Sequence, residues 1–324
     1  MNAYLTLCVT VCLAVLFVVT LVGVLVGNLA LGLVRRFQLD WLLHFPSLLF
    51  CMRMFPFLLG AMTTFALVLP SFLLLEPKQT PETAEPHLLL LSGLAAVGLC
   101  AGTVRWICLT YQTFRKSREW LRTGCRIEIP MVSVPVYAIE TPESLVAVTG
   151  IFRTRAFIGR QALASLTEDE LLAAIAHELA HIHSRDNLKQ LLLRITHMPR
   201  GFAHLGWAES AWSDAAEFAA DRDALHRGGS ALDLASALVK VSRLKTCDGA
   251  SILAACHLIP AQHGSAVVLR VQYLRAMLAA DVPQSTPAIP AAPWWVGAFG
   301  CGLYLAVLPI ALPFTHRAVE WLVR

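Results

Sequence analysis

A chain of 324 residues that is 56 % hydrophobic and 15 % charged lies above the roughly 45–50 % apolar share of soluble domains. The excess collects in long uncharged runs near the two ends, which excludes a purely soluble protein, while the middle has the texture of an ordinary soluble domain. A net charge of +4 is too weak for a nucleic-acid footprint, so no direct nucleic-acid binding is expected; its clustering beside apolar runs points to membrane orientation.

From Tyr4 to Val34 no residue is charged. The run exceeds the roughly 20 residues that cross a hydrocarbon core, so tilt or overhang is expected. No Lys or Arg precedes it and it is too long for a signal peptide, so it should stay as a membrane helix, followed at once by Arg35 and Arg36. A second run, Met54 to Leu75, contains Pro56 and Pro70 and is preceded by Arg53. A third covers about Leu88 to Leu109, with Arg105 close enough to its end to snorkel. Between them, Glu76 to Pro86 is a Pro-rich, mostly acidic connector expected to form a solvated loop. Flanking Lys and Arg residues set the orientation. Arg35, Arg36 and Arg53 put the first connection inside, and Lys78 alone leaves the second outside. Arg115, Lys116, Arg118, Arg122 and Arg126 then pull the central domain to the cytoplasmic side.

Tyr111 to Arg126 mixes that positive charge with Phe114, Trp120 and Leu121. It either continues the third helix or lies along the anionic inner leaflet. The nine cysteines form no C-x-x-C pair and fall mostly in or beside apolar runs, where Cys acts as a small hydrophobe. An odd, scattered set argues against a disulfide framework and for a reducing compartment.

From Ile127 the texture changes. Met131 to Ile139 and Leu145 to Thr149 are rich in β-branched residues and read as short strands, and Gly150 to Thr154 as a turn into a third, Arg155 to Ile158. An open edge on the Val146–Thr149 or Arg155–Ile158 strand is expected to receive an extended substrate. A helix then starts at Thr167, its N-cap, with Glu170 at the capping-box position, and runs through His181. Helical texture resumes at Ser213 to His226 and Ala231 to Leu244. A Pro-rich spacer, Pro283 to Pro293, leads to the aromatic pair Trp294 and Trp295 and a fourth apolar run, Val296 to Phe314, interrupted by Pro309 and Pro313.

The chemistry centres on His177-Glu178-Leu179-Ala180-His181, set in the apolar helix Leu171 to Ala176. Residues four apart share a helix face, so the two imidazoles can grip one zinc ion, with Glu178 at the edge of that face to handle a proton. A catalytic zinc takes three protein ligands, so the third comes from elsewhere. His183, Asp186, His197, His204, Glu209 and Glu217 are the candidates. His183 lies about 200° round the helix from His181 and faces the wrong way. Glu217 is favoured, because the small residues of Asp214-Ala215-Ala216-Glu217-Phe218-Ala219-Ala220-Asp221 would let that helix come close. Asp221, one turn on, could accept the free ring N–H of a ligating histidine. His226 and Arg222 are both available to steady an oxyanion, and the sequence does not choose between them.

His177 to His181, then Ser184-Arg185-Asp186-Asn187, then Glu217-x-x-x-Asp221 together resemble the integral-membrane zinc metallopeptidases of the BlaR/MecR type, related to the wider HtpX-like group. Ala156 to Leu163, with acidic Glu168-Asp169-Glu170, is similar to that family's lead-in to the metal helix, and the resemblance covers about residues 130 to 245. It implies His177, His181 and Glu217 as zinc ligands and Glu178 as general base, with a transcriptional repressor as protein substrate. About ten residues follow Phe314, too few for the outer sensor domain of that type, so a separate sensor partner or the membrane helices would carry the signal. No apolar hairpin is seen between His181 and Glu217, and the HtpX-like quality-control reading stays open. A catalytically silent membrane receptor or scaffold is the alternative of a different class.

The expected fold is a membrane α-helical anchor of about four transmembrane helices with a cytosolic α+β zincin-like metallopeptidase domain. Residues 1–110 form the three-helix region, 111–290 the peptidase domain, and 291–324 the fourth helix and tail. The expected function is that of a multi-pass inner-membrane zinc endopeptidase, bound in the lipid bilayer and acting on a cytosolic or membrane-associated protein.

Overall fold

The structure, a computed structural model, describes residues 2–37, 45–76, 85–130, 132, 134–140, 146–151, 153–196, 203–244, 255–257, 264–280 and 294–323. Most of the Glu76–Pro86 connector, the spacer from Pro283 to Pro293, and His197 lie outside the described residues.

Among the described residues, three helices are long and apolar enough to cross a membrane. The first is α1 (Asn2–Arg36). The second is one rod made of α2 (Pro46–Thr63), a π-helical segment (Thr64–Val68) and α3 (Leu69–Leu75). The third is α4 (Pro86–Thr123). Leu29, Phe65 and Val97 on these helices are 69 %, 64 % and 68 % exposed, as lipid-facing side chains would be. α1 and α2 approach closely where Gly60 meets α1: a Cβ there would lie 2.1 Å from Thr20 Oγ1 and 3.3 Å from the Leu16 carbonyl. The π-helical segment ends two residues before Pro70, which has no N–H for the Ala66 carbonyl. Tyr304 Oη, from α11 (Trp294–Val323), donates to that carbonyl at 2.6 Å. α11 falls on the expected fourth run and carries Pro309 and Pro313 inside it.

Two expectations change here. Arg53 does not precede the second helix; it sits inside α2, buried. A charge in a membrane-side helix is tolerated when it faces protein partners, and this one does. The boundary expected at residue 110 falls inside α4, which continues unbroken to Thr123 and carries Arg115, Lys116, Arg118 and Arg122 along it. Tyr111 to Thr123 is therefore the end of the third helix.

The central domain is built on a five-stranded sheet of order β1-β2-β4-β3-β5. The strands are β1 (Cys125–Ile127), β2 (Val136–Ile139), β3 (Val146–Thr149), β4 (Arg155–Gly159) and β5 (Ala255–His257). β2 and β4 pair in parallel, and the other three pairings are antiparallel. β3 and β4 alternate between two buried faces, as a period-2 strand covered on both sides must. Val146, Val148, Ala156 and Ile158 face one cluster with Ala173, Ala174, Ile175, Leu234 and Leu238. Ala147 and Phe157 face Trp120 at the end of α4. Gly150, at φ +96°, makes the turn between β3 and β4, where a Cβ would lie 2.4 Å from the Arg153 carbonyl.

The expected open edge is absent on both strands named for it. β4 lies between β2 and β3, and β3 between β4 and β5. β5 reaches β3 from more than a hundred residues away, with Ala147 opposite His257. No local pattern in residues 146–158 announces it.

The helices of the domain are α5 (Arg160–Ser165), α6 (Glu168–His183), α7 (Asp186–Ile195), α8 (Ala203–His226), α9 (Ala231–Leu244) and α10 (Gly264–Ala280). α6 lies against β3, α8 and α9, and α8 in turn packs on α1 and α2. The helix that faces the sheet domain on one side thus meets the membrane helices on the other.

Candidate metal centre

α6 is secured locally. The Thr167 hydroxyl accepts from Glu170 N at 3.3 Å, and Glu170 Oε2 accepts from Thr167 N at 2.8 Å, which closes the expected capping box. Glu170 also accepts from Ser236 Oγ at 2.5 Å and from Lys240 Nζ at 2.7 Å, tying α6 to α9. Burial pushes this carboxyl up, but the bonds from Lys240, Ser236 and Thr167 outweigh it and bring the pKa down to about 2.

One turn apart on this helix, His177 and His181 are both buried, with their Nε2 atoms 3.2 Å from each other. α8 presents Glu217 to the pair. Its Oε2 lies 3.5 Å from His177 Nε2, and its Oε1 lies 3.7 Å from His181 Nε2. α6 and α8 lie directly against each other, with small, buried Ala173 and Ala174 on the His177 face of α6 and small, buried Ala220 and Ala224 on the Glu217 face of α8. Three donors at 2.0–2.1 Å from one tetrahedral ion stand roughly 3.3 Å apart, so this trio has the spacing of a metal site. His177, His181 and Glu217 together form a cluster able to hold a metal ion.

The outer nitrogens of both imidazoles are engaged as well. His177 Nδ1 is 2.8 Å from Asp221 Oδ1, the contact the sequence pointed to. His181 Nδ1 is 2.9 Å from Asp186 Oδ2. Asp186, one of the candidates for third ligand, thus orients a histidine from behind. The turn that brings it there is tight, with Arg185 left-handed at φ +55° and a cost of order 1–3 kcal/mol for a non-glycine residue. Lys189 Nζ balances Asp186 at 3.1 Å.

A buried cation that the sequence reading missed completes the cluster. Arg270, on α10, donates from Nε to Asp221 Oδ2 at 2.7 Å and from Nη1 to Glu217 Oε2 at 2.8 Å. Burial would raise the acids of both carboxylates, and the Arg270 charge, helped by the histidines, lowers them instead. Burial and Arg270 both oppose a proton on His177, yet its bonds with Asp221 and Glu217 outweigh them and raise it to about 9. The one available signal was a lone cation inside the apolar stretch Val267-Val268-Leu269-Arg270-Val271.

Glu178 is buried beside the pair, and neither carboxylate oxygen has a hydrogen-bond partner of normal geometry among the described residues. Burial raises it to about 8; the His177 charge opposes that shift, the Glu217 carboxylate adds to it, and the Val148 backbone on β3 favours the ionised form. A carboxylate orphaned next to a metal-ligand trio suits a group that works on a further reactant there.

The remaining candidates sit elsewhere. His183 is exposed and bonded to the Leu179 carbonyl, and His204 packs against Gly32 of α1. Glu209 pairs with Arg53. His226 is exposed at the end of α8, and neither it nor Arg222 joins the hydrogen bonds of the cluster.

Paired imidazoles one turn apart, a carboxylate from a second helix and an orphaned acid adjacent to the first imidazole in sequence have the make-up of a metallopeptidase centre. Residues 117–277 match the model of Peptidase family M48 and include every residue of the cluster, so the chain carries an M48 peptidase domain. No curated protein matches the chain.

Proposed function

We propose that this protein is a membrane-embedded zinc-dependent endopeptidase that hydrolyses peptide bonds of a cytosolic or membrane-associated protein. One observation carries the reading: His177, His181 and Glu217 converge at metal-ligand spacing beside the orphaned Glu178, in an M48 domain joined to three helices long enough to cross a bilayer. The nitrogen-and-oxygen donor set favours zinc.

Zinc bound there would supply Lewis acidity, acidifying water and polarising the scissile carbonyl. The protein's own groups do the rest. Asp221 and Asp186 hold the two imidazoles in the tautomer and rotation that aim Nε2 inward. Glu178 takes the proton of the attacking water and hands it to the leaving amine. Arg270 offsets the charge of Glu217 and Asp221, so two carboxylates can share a buried site.

The orientation read from flanking cations puts the domain on the cytoplasmic side of an inner membrane, with α11 as a fourth crossing. The BlaR/MecR resemblance makes a transcriptional repressor the favoured substrate. Quality control of membrane proteins, in the HtpX-like manner, is the second peptidase reading.

The deciding experiment combines metal analysis with the Glu178→Ala variant. We expect one zinc per chain in both proteins and a loss of peptide cleavage of roughly 10²–10⁴-fold in the variant. Undiminished turnover would refute the role of Glu178, and a wild-type protein without stoichiometric zinc would favour the silent receptor or scaffold.

A further inference from the structure

α7 and α8 each have one end in the metal centre and the other against the membrane helices. α7 begins with Asp186, which holds His181, and is followed by its C-cap residue Thr196, whose carbonyl accepts from Arg53 Nη2 at 2.6 Å. α8 carries Glu217 and Asp221 in its second half, and its Glu209 lies 3.5 Å from the same Arg53 nitrogen. Asn28 of α1 caps the start of α8: its Oδ1 accepts from His204 N at 3.1 Å and from Leu205 N at 3.4 Å. Arg35 of α1 stands over the Trp207 ring, 5.4 Å from its centre.

Arg53 is 0 % exposed, and its Nε and Nη1 find no hydrogen-bond partner among the described residues. Burying a guanidinium so incompletely paired is costly, and a helix that had only to be apolar would not carry one. The arginine's contacts run to the two helices that present the groups behind and beside the metal ligands. Glu209 and Glu217 are roughly 12 Å apart along one continuous helix, so a shift at the membrane end reaches the ligand.

We propose that Arg53, with Asn28, is a positioning residue of the metal centre: it fixes the membrane-side ends of α7 and α8, and the packing of α1 and α2 thereby sets whether Asp186, Glu217 and Asp221 are in place. The proposal rests on the metal reading of the site. It makes the bilayer-facing helices part of the peptidase's working geometry as well as its anchor.

The test uses the full chain in lipid nanodiscs, stripped of metal and titrated with Co2+, whose visible absorption reports ligand geometry. Arg53→Met should weaken Co2+ binding about 10- to 100-fold, the range for loss of groups behind metal ligands, and change the visible band; Arg53→Lys should recover most of both. Asn28→Ala, which leaves Arg53 in place, should give a smaller weakening in the same direction, and it decides alone if Arg53→Met does not insert. In the metal-free protein, hydrogen exchange should quicken around residues 217–221 as well as 203–210. Quickening confined to 203–210, or Co2+ affinity and spectrum unchanged in both variants, would overturn the coupling. A wild-type chain that takes up no Co2+ would overturn the metal reading itself, and this inference with it.

Discussion

The two helices that bring together the trio able to hold a metal ion are held in opposite ways. α6 is secured by its neighbours in sequence: Thr167 and Glu170 close its first turn, and its buried Ala173, Ala174 and Ile175 pack it on the sheet core. α8 is secured by distant residues. Asn28 holds its start across 176 positions, Arg53 its Glu209 across 156, and Arg270 its Glu217 across 53. A locally specified helix supplies two members of the trio able to hold a metal, and the orphaned acid, while a helix positioned by three other segments supplies the third member. The lesson is that a metal centre can be half written in local pattern and half assembled from long-range polar contacts.

The sharpest way to break this contrast is to remove the ligand on the borrowed helix. Glu217→Ala should strip the metal while the protein stays inserted, because α6 keeps its own supports. Metal analysis of the purified variant checks it, and full occupancy would move the third ligand elsewhere.

Arg270→Met probes the long-range hold itself. It leaves the buried Asp221 and Glu217 carboxylates without their cation, a change that typically costs about 3–5 kcal/mol. The loss should be larger in the metal-free protein than with zinc bound, since the ion's charge partly replaces the guanidinium. Thermal unfolding with and without zinc measures both; equal losses would mean that Arg270 serves packing alone.

On the local side, Thr167→Ala should cost about 1 kcal/mol of stability with metal content unchanged. A change in metal stoichiometry would show that the α6 cap and the centre are less separable than the contrast holds.

The smallest effect concerns pH. Glu170 is depressed to about 2 from an ordinary value of 4.5, so its contribution is fully present above about 4.5 and is lost as pH falls towards about 2. Glu170→Gln should therefore flatten the acid-unfolding profile in that window and leave the profile near neutrality parallel to the wild type. An unchanged acid limb would remove the Lys240 and Ser236 contacts as its cause.

What was legible in the sequence follows the same division. The strands β3 and β4, the capped start of α6 and the full length of α9 carry patterns within a few residues of themselves, and each lies where the pattern placed it; of the run Met131 to Ile139 expected as a strand, only Val136–Ile139 forms β2, and the described residues 132, 134 and 135 stay outside it. β1 and β5 are three residues long and exist through their partners, so no run of β-branched residues announces them. α7 follows directly on the left-handed Arg185, which hides its start behind the end of α6. Arg53 was placed in a flank because a charge ordinarily marks the end of an apolar run; its burial depends on Thr196 and Glu209, far along the chain.

By itself, then, the amino-acid order determined the spacing of His177, Glu178 and His181, the capping of their helix, the alternating strands and the long apolar helices, because each depends on periodicity within a few turns of backbone. The order of residues also favoured Glu217 and Asp221; only the tertiary structure brought them to the two imidazoles, set Asp186 behind His181, balanced the carboxylates with Arg270, and made α1 and α2 grip α8. Those outcomes depend on charges and hydrogen-bond donors meeting in a buried, low-dielectric place, where an unpaired partner is expensive and proximity along the chain counts for nothing.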